Sequence, residues 1–171
     1  MRVCVNYRGF DALTIKNRNT LSLIQEILQR LCKIKYYNKF DIIAIFNEIR
    51  MRFDDEHKIV FIIRYDLFKY VVISFELCNV SITFQSFINK TLSLYLNDFC
   101  IVYMNNILVY NNIEAKHKNY INKVFAKLHD ASLYLNINKC VFFVKQVKYL
   151  DLIIIIEGIR MNPKKIKCIL K

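Results

Sequence analysis

The sequence predicts one α+β domain in which a β-sheet is backed by helices. Strand-like segments alternate with amphipathic helices along the chain, and a polar hairpin interrupts two apolar runs near the middle. The 171 residues are enough for one domain with a core, and the 55% hydrophobic content argues against disorder. No Pro/Gly/Ser-rich linker, repeat or low-complexity tract divides the chain, so residues 1–171 are expected to form a single unit.

Local patterns predict each element in turn. Residues 2–7 alternate between apolar and polar side chains, which is typical of a strand. Residues 22–31 place leucine and isoleucine at helical spacing behind Ser22, a candidate N-cap. Further helices are predicted at 82–96, 114–129 and from Pro163 onward, and further strands at 36–41, 58–64, 68–73, 141–144, 147–150 and 152–156.

Residues 99–110 contain the most informative pair of side chains. Two short β-rich apolar runs flank Asn105 and Asn106, and this pattern predicts a tight β-hairpin with both amides at its tip. The strand predicted at 36–41 ends in a carboxylate, Asp41. These three polar side chains are the first candidates for a functional site.

The composition limits the partners and the compartment. A formal net charge of +12 favours a polyanionic partner, most simply nucleic acid, although a basic surface without a ligand is the alternative. The six cysteines form no C-x-x-C pair, which argues against a zinc site and suits a reducing compartment. The longest aliphatic run, 152–156, is far shorter than the ~20 residues of a membrane helix, and no signal-peptide layout precedes the first strand. We therefore expect no membrane contact and a cytoplasmic or nuclear location.

Short motifs along the whole chain resemble those of the reverse transcriptase domain of gypsy-type LTR retrotransposons. Tyr103-Met-Asn-Asn-Ile-Leu-Val-Tyr110 resembles the segment that contains the family's Tyr-x-Asp-Asp. Lys39-Phe-Asp41 resembles the Lys-Leu-Asp that presents the first catalytic aspartate. The other matching segments, in the family's order, are Arg2–Arg8, Thr14–Arg18, Ile49-Arg50, Phe75–Asn79, Thr83–Gln85, Asn138–Phe142, Tyr149–Asp151 and Glu157–Ile159.

The resemblance implies a right-handed polymerase fold, with fingers and palm but without a thumb. The palm core would then comprise about residues 36–50 and 80–160. The implied ancestral activity is RNA-directed DNA polymerisation, which adds deoxynucleoside triphosphates to a primer on an RNA or DNA template. Enzymes of this kind use two Mg²⁺ ions, held by carboxylates and by the substrate phosphates.

The family's catalytic carboxylates correspond to Asp41, Asn105 and Asn106 in this chain, so Asp41 and Asn105 are expected to lie within side-chain contact of each other. Asp41 is an aspartate, as in the family, and would be a metal ligand, whereas the two asparagines carry no negative charge. We therefore expect Mg²⁺ to be held poorly and this copy to be catalytically inactive. By the same resemblance Arg2, Phe46 and Gln85 would bind the nucleotide. The alternatives are an exposed strand arginine for Arg2 and an ordinary core residue for Phe46.

The departures from the family follow one mutational direction. Each is reachable by a single G-to-A or C-to-T change, and the same direction explains the scarcity of glycine (2) and proline (1). The chain is therefore interpreted as a degenerate fragment of a retroelement. Asparagine replaces aspartate at 6, 105, 106 and 162, acidic residues replace glycine at 66, 76 and 151, and serine replaces proline at 74 and 81.

Two consequences of these changes are expected. Glu76 would place a carboxylate in the nucleotide pocket and repel a triphosphate, and Asp66, Glu76 and Asp151 would be strained if their positions need a positive φ. A charge at Asp151 beside the buried run 152–156 would be costly unless it is paired. Selection for a non-catalytic nucleic-acid-binding protein is the alternative to decay, and a relic that never accumulates as protein is a third.

Overall fold

The chain folds into a central four-stranded sheet with elements packed on both of its faces. The computed structural model describes residues 5–17, 24–31, 33–43, 49–74, 76–163, 165 and 168. The helices are α1 (Arg8–Leu13), α2 (Ile24–Leu31), α3 (Val80–Thr91) and α4 (Glu114–Asp130), with 3₁₀ turns at Phe53–Ile59 and Ile137–Lys139. The strands are β1 (Tyr36–Asp41), β2 (Val60–Ile63), β3 (Asp66–Lys69), β4 (Cys100–Tyr103), β5 (Asn106–Asn111), β6 (Val141–Val144), β7 (Gln146–Tyr149), β8 (Leu152–Ile155) and β9 (Gly158–Met161).

The central sheet has the strand order β4-β5-β1-β6, and all neighbours are antiparallel. β1 and β5 pair along their whole length, from Tyr36 opposite Asn111 to Asp41 opposite Asn106. The smaller sheets are the hairpin β2–β3 and the meander β7-β8-β9. The predicted hairpin and the strand that ends in Asp41 are thus confirmed as neighbours in one sheet.

Helices α3 and α4 cover one face of the central sheet. Phe84 and Ile88 of α3, and Val124 and Leu128 of α4, are buried together with Phe40 of β1. Each fully buried side chain of this size contributes ~1.5–3 kcal/mol relative to exposure. The helix predicted at 114–129 is confirmed, although the helix predicted at 82–96 ends earlier than expected. It ends at Thr91 because the chain then turns sharply to enter β4.

Helix α2 and the β7-β8-β9 meander cover the opposite face. Leu31 packs there with Tyr37, Tyr149 and Ile154, all of them fully buried. The Tyr37 hydroxyl donates a hydrogen bond to the Leu31 carbonyl oxygen at 2.9 Å, which fixes the C-terminal end of the helix to β1. Because both faces of the sheet are covered, most of β4 and the middle of β5 are buried continuously rather than alternately. The proposed N-cap Ser22 lies outside the described residues.

A buried carboxylate anchors the β2–β3 hairpin to the 3₁₀ turn before it. Glu56 is only 2% exposed. It accepts hydrogen bonds from Lys69 at 2.8 Å and from Arg50 at 3.1 Å. The hydrogen bond from Lys69 is the main reason that the pKa of Glu56 is lowered. The turn replaces the beginning of the strand predicted at 58–64, since β2 starts only at Val60.

The strand predicted at residues 2–7 is wrong for its described part, residues 5–7. The Asn6 side chain accepts a hydrogen bond from the Arg8 amide at 3.2 Å, so a local turn replaces the strand ladder and leads into α1. Tyr7 is buried, and its hydroxyl donates to the Ile59 carbonyl oxygen at 3.0 Å. The sequence analysis also missed strand β9, whereas the backbone at Pro163 is helical as expected.

The hairpin turn between β7 and β8 carries real backbone strain. Leu150 and Asp151 have φ values of 49° and 63°, the two positive angles that a type I′ turn requires. Asp66 and Glu76 are not among the residues with positive φ, so the expected strain applies only to Asp151. Its charge is paired, because Lys165 Nζ lies 3.0 Å from Asp151 Oδ2 and lowers the pKa of that carboxyl.

Candidate active site

The hairpin between β4 and β5 places the two asparagines beside Asp41. Tyr103 pairs with Asn106, which leaves Met104 and Asn105 as a two-residue loop. Of the two amides predicted at the tip, only Asn105 lies in the loop, and Asn106 is the first residue of β5. Of these loop residues only Met104 has a positive φ, 53°, as in a type II′ turn. A left-handed angle at a non-glycine residue costs about 1–2 kcal/mol, so the surrounding contacts must hold this loop in place.

Gln85 supplies one of these contacts from α3. It is only 4% exposed, and its Oε1 atom accepts a hydrogen bond from the Met104 amide at 2.7 Å. Its Nε2 atom donates to Asn89 Oδ1 at 2.8 Å and to the Val102 carbonyl oxygen at 3.3 Å. Gln85 therefore lies beneath the hairpin and braces it. The role in nucleotide binding implied by the resemblance stays a prediction.

Asp41, Asn105 and Asn106 form one chain of hydrogen bonds. Asn105 Nδ2 donates to Asp41 Oδ2 at 3.1 Å, and Asn106 Nδ2 donates to Asn105 Oδ1 at 2.9 Å. The main chain adds a bond of 2.9 Å from the Ile42 amide to the Asn105 carbonyl oxygen. The expected proximity of Asp41 and Asn105, which are 64 residues apart in sequence, is confirmed.

Lys139 completes the surroundings of Asp41. Its Nζ atom lies 3.7 Å from Asp41 Oδ1, at the end of the second 3₁₀ turn. Asp41 itself is 8% exposed, so its carboxylate is largely removed from water. Lys139 lies in a segment that matches the family, but the sequence did not predict a role for it. It is one of 26 basic residues, and only the folded structure shows that it lies beside Asp41.

The donor set does not fit a pair of divalent cations. Asp41 is the one carboxylate of the network, and an amide hydrogen and an ammonium group face its two oxygens. Within the described ranges, no three His, Cys, Asp or Glu side chains come together as metal ligands. Magnesium prefers anionic oxygen ligands, which two asparagines do not provide.

Tyr149 ties the hairpin to the opposite layer of the fold. Its hydroxyl lies 3.5 Å from the Asn106 carbonyl oxygen, a long hydrogen bond. The side chain is fully buried, and burial raises the pKa of its hydroxyl. The hairpin is thus held by α3 on one side and by the β7-β8-β9 meander on the other.

Two of the predicted site residues, Arg2 and Phe46, lie outside the described residues. Glu76, expected in the nucleotide pocket, accepts a hydrogen bond from the Val5 amide through Oε2 at 2.7 Å. Its carboxylate therefore has a structural partner in the N-terminal segment. Ser74, where the resemblance implies a proline, is buried.

Comparison with known proteins identifies the family. The sequence profile described as "Reverse transcriptase (RNA-dependent DNA polymerase)" matches residues 1–154. The chain belongs to the reverse transcriptase family. This reverse transcriptase domain is 34% identical over 168 residues to the "Retrovirus-related Pol polyprotein from transposon 297" of Drosophila melanogaster, which covers 98% of the chain. It is 31% identical over 150 residues, or 88% of the chain, to the "Transposon Tf2-7 polyprotein" of Schizosaccharomyces pombe.

The reverse transcriptase domain spans 16% and 11% of the lengths of these two polyproteins. Among solved structures, the foamy viral protease-reverse transcriptase in complex with dsDNA has a TM-score of 0.88 and 18% identity, covering 99% of this chain and 35% of that one. The same viral protein in complex with an RNA/DNA hybrid has a TM-score of 0.85 and 17% identity, covering 97% of this chain and 22% of that one. These structures show the fold. No helix in the described part of the chain is long and apolar enough to cross a membrane.

Proposed function

We propose that this chain comprises the fingers and palm of a gypsy-type reverse transcriptase that binds nucleic acid but no longer extends a primer. The palm would comprise about residues 36–50 and 80–160. The ancestral reaction is RNA-directed DNA polymerisation from deoxynucleoside triphosphates with two Mg²⁺ ions. The relatives are transposon polyproteins, and the structural neighbours are described as complexes with dsDNA and with an RNA/DNA hybrid.

One observation carries the proposed loss of polymerisation. The amide nitrogen of Asn105 donates a hydrogen bond to Asp41 Oδ2, so a hydrogen atom points at the carboxylate oxygen that would have to bind a metal ion. Asn106 strengthens this arrangement, because its own amide holds Asn105 Oδ1 and so fixes which way the Asn105 amide faces. Removal of a single group that stabilises transition-state charge typically costs 10²–10³ in rate, and here two anionic ligands are replaced.

A primer-extension assay tests the loss. We expect no incorporation by the wild-type chain on a primed homopolymer template with either Mg²⁺ or Mn²⁺. The double variant Asn105→Asp, Asn106→Asp should recover at most part of the activity, because Glu76 is unchanged. Incorporation by the wild-type chain above the level of an Asp41→Ala control would refute the proposed inactivity.

The proposed binding of nucleic acid rests on charge. The chain carries a net charge of +12, and the lysines of α4 lie on its solvent side. Lysines 116, 118 and 123 are exposed and lysine 127 is half-buried. These side chains can contact a phosphate backbone, although a solvated helix surface is the alternative.

Salt dependence distinguishes these alternatives. Binding to a primer–template duplex should be weak and independent of sequence, with log K falling by about 0.9 per phosphate neutralised for each tenfold rise in salt. Changing Lys116, Lys123 and Lys127 to glutamate should flatten that slope if α4 touches the backbone. Changing the same three residues to arginine is the matched control and should preserve it. If the folded chain does not bind the duplex even at low salt, the proposed nucleic-acid binding is refuted and the interpretation as a relic is the one that stands.

A further inference from the structure

The candidate site contains its own cation. Asp41 Oδ1 faces the Lys139 ammonium at 3.7 Å, and Oδ2 accepts the Asn105 amide hydrogen at 3.1 Å. The negative charge of Asp41 and the positive charge of Lys139 cancel, and the side-chain amides of Asn105 and Asn106 are uncharged, so the cluster is neutral. A carboxylate that is only 8% exposed needs such a partner, since burying an uncompensated charge is costly.

Backbone contacts on both sides hold Lys139 near β1. The Asn136 amide donates to the Asp41 carbonyl oxygen at 2.8 Å, which attaches the 3₁₀ turn to the end of the strand. The Lys139 amide closes the turn by donating to the Asn136 carbonyl oxygen at 2.9 Å. Directly after it, Val141 of β6 pairs with Lys39 of β1. The lysine is therefore positioned by main-chain hydrogen bonds, while its long side chain spans the last distance to the carboxylate.

We propose that Lys139 is the countercharge of Asp41 and that it makes the site independent of divalent cations. This inference rests on the proposed function and extends it to the cation requirement of the same site. With aspartates at 105 and 106 the site would carry three negative charges, and one lysine would leave an excess that a divalent cation could neutralise. With asparagines at both positions the lysine suffices. A divalent cation would then meet one carboxylate and be repelled by the ammonium group.

Binding of Mn²⁺ to the free protein tests this without nucleic acid or catalysis. Free Mn²⁺ is measured by electron paramagnetic resonance while the protein is titrated. The wild-type chain should bind no Mn²⁺ at Asp41 at millimolar concentrations, and the Asn105→Asp, Asn106→Asp variant should gain a weak site. Adding Lys139→Gln to that variant should tighten the site by about tenfold, because it removes a positive charge a few ångströms from the ion. Adding Lys139→Arg should leave the affinity unchanged.

A second comparison uses the native asparagines, in case the acidic variant does not fold. Lys139→Gln alone should lower the melting temperature, and millimolar Mn²⁺ should restore part of the loss, because the ion can then replace the ammonium group. Neither the wild-type chain nor Lys139→Arg should respond to Mn²⁺ in this way. The exposed Lys145, changed to glutamine in both the acidic variant and the native chain, is the control for the loss of one positive charge elsewhere.

Two results would overturn the inference. One is Mn²⁺ binding by the wild-type chain that Asp41→Asn abolishes. The other is that Lys139→Gln behaves like Lys145→Gln in both comparisons. The proposed loss of polymerisation fails separately, by primer extension, so failure of one proposal is not mistaken for failure of the other.

Discussion

Replacing His117 by glutamine should remove much of the loss of stability that the chain shows as the pH falls below about 6.5. His117 lies in α4 and is fully buried between that helix and the central sheet. Its Nε2 atom is 2.8 Å from Asn38 Oδ1, which also accepts a hydrogen bond from the Phe143 amide at 2.8 Å. Among the described residues, His117 Nδ1 and Asn38 Nδ2 have no hydrogen-bond partner. Removal of the ring from water disfavours a positive charge on it.

Burial therefore lowers the pKa of His117 from its ordinary value of 6.5. A group whose pKa is lower in the folded state binds more protons when the chain unfolds. Its contribution to stability is present above the unfolded pKa, and it is lost as the pH falls from there toward the folded pKa. For a single proton the loss is at most ~1.4 kcal/mol per pH unit, which is large beside the ~5–15 kcal/mol total stability of a typical domain.

Urea unfolding at a series of pH values measures this effect. The free energy of unfolding of the wild-type chain should fall as the pH drops below about 6.5, whereas His117→Gln should show a much flatter profile. Glutamine can still donate to Asn38 Oδ1 but does not titrate. His129 lies on the exposed side of the same helix, so His129→Gln is the matched control and should keep the wild-type slope. Equal slopes for the wild-type chain and His117→Gln would refute the reasoning.

Three further predictions concern other parts of the fold. Glu56→Gln should lower the melting temperature and speed hydrogen exchange in β2 and β3. Because the pKa of Glu56 is lowered from 4.5, its contribution to stability should be lost as the pH falls through its folded pKa. An unchanged melting temperature would contradict the anchoring role. Changing Leu150 to asparagine together with Asp151 to glycine should raise the melting temperature, since that pair suits a type I′ turn, whereas Asp66→Gly should not raise it. Burial raises the pKa of the Cys100 thiol to about 12, so iodoacetamide should label it only when the sheet opens, and labelling at the rate of an exposed thiol would count against this.

The sequence predicts the elements of the candidate site well because they depend on local patterns. The hairpin follows from two apolar runs around a polar pair, and the strand before Asp41 follows from its own composition. Their proximity was an inference from the resemblance, and the pairing of Asp41 with Asn106 confirms it. The buried faces of α3 and α4 follow from the helical spacing of their apolar residues.

The remaining features depend on tertiary contacts that no local pattern contains. The amide of Asn105 could face either way, and its direction is decided by Asp41 and Asn106 together. Lys139 reaches the site because the Asn136 amide bonds to the Asp41 carbonyl oxygen and because β6 pairs with β1. The segment before α1 looks like a strand, but the Asn6 side chain makes a local hydrogen bond that competes with strand pairing.

The position of β1 between β5 and β6 has a consequence for how the chain folds during synthesis. Both neighbours are synthesised after it: Asp41 waits for a partner 64 residues later, and Asn38 for one 105 residues later. Until then both edges of β1 are unpaired, which is the condition that favours pairing with another chain. Contacts of such long sequence separation also form slowly. A nascent or prematurely terminated chain that ends before β5 should therefore expose β1 and aggregate, so the most central strand of the mature protein is the most vulnerable one during synthesis.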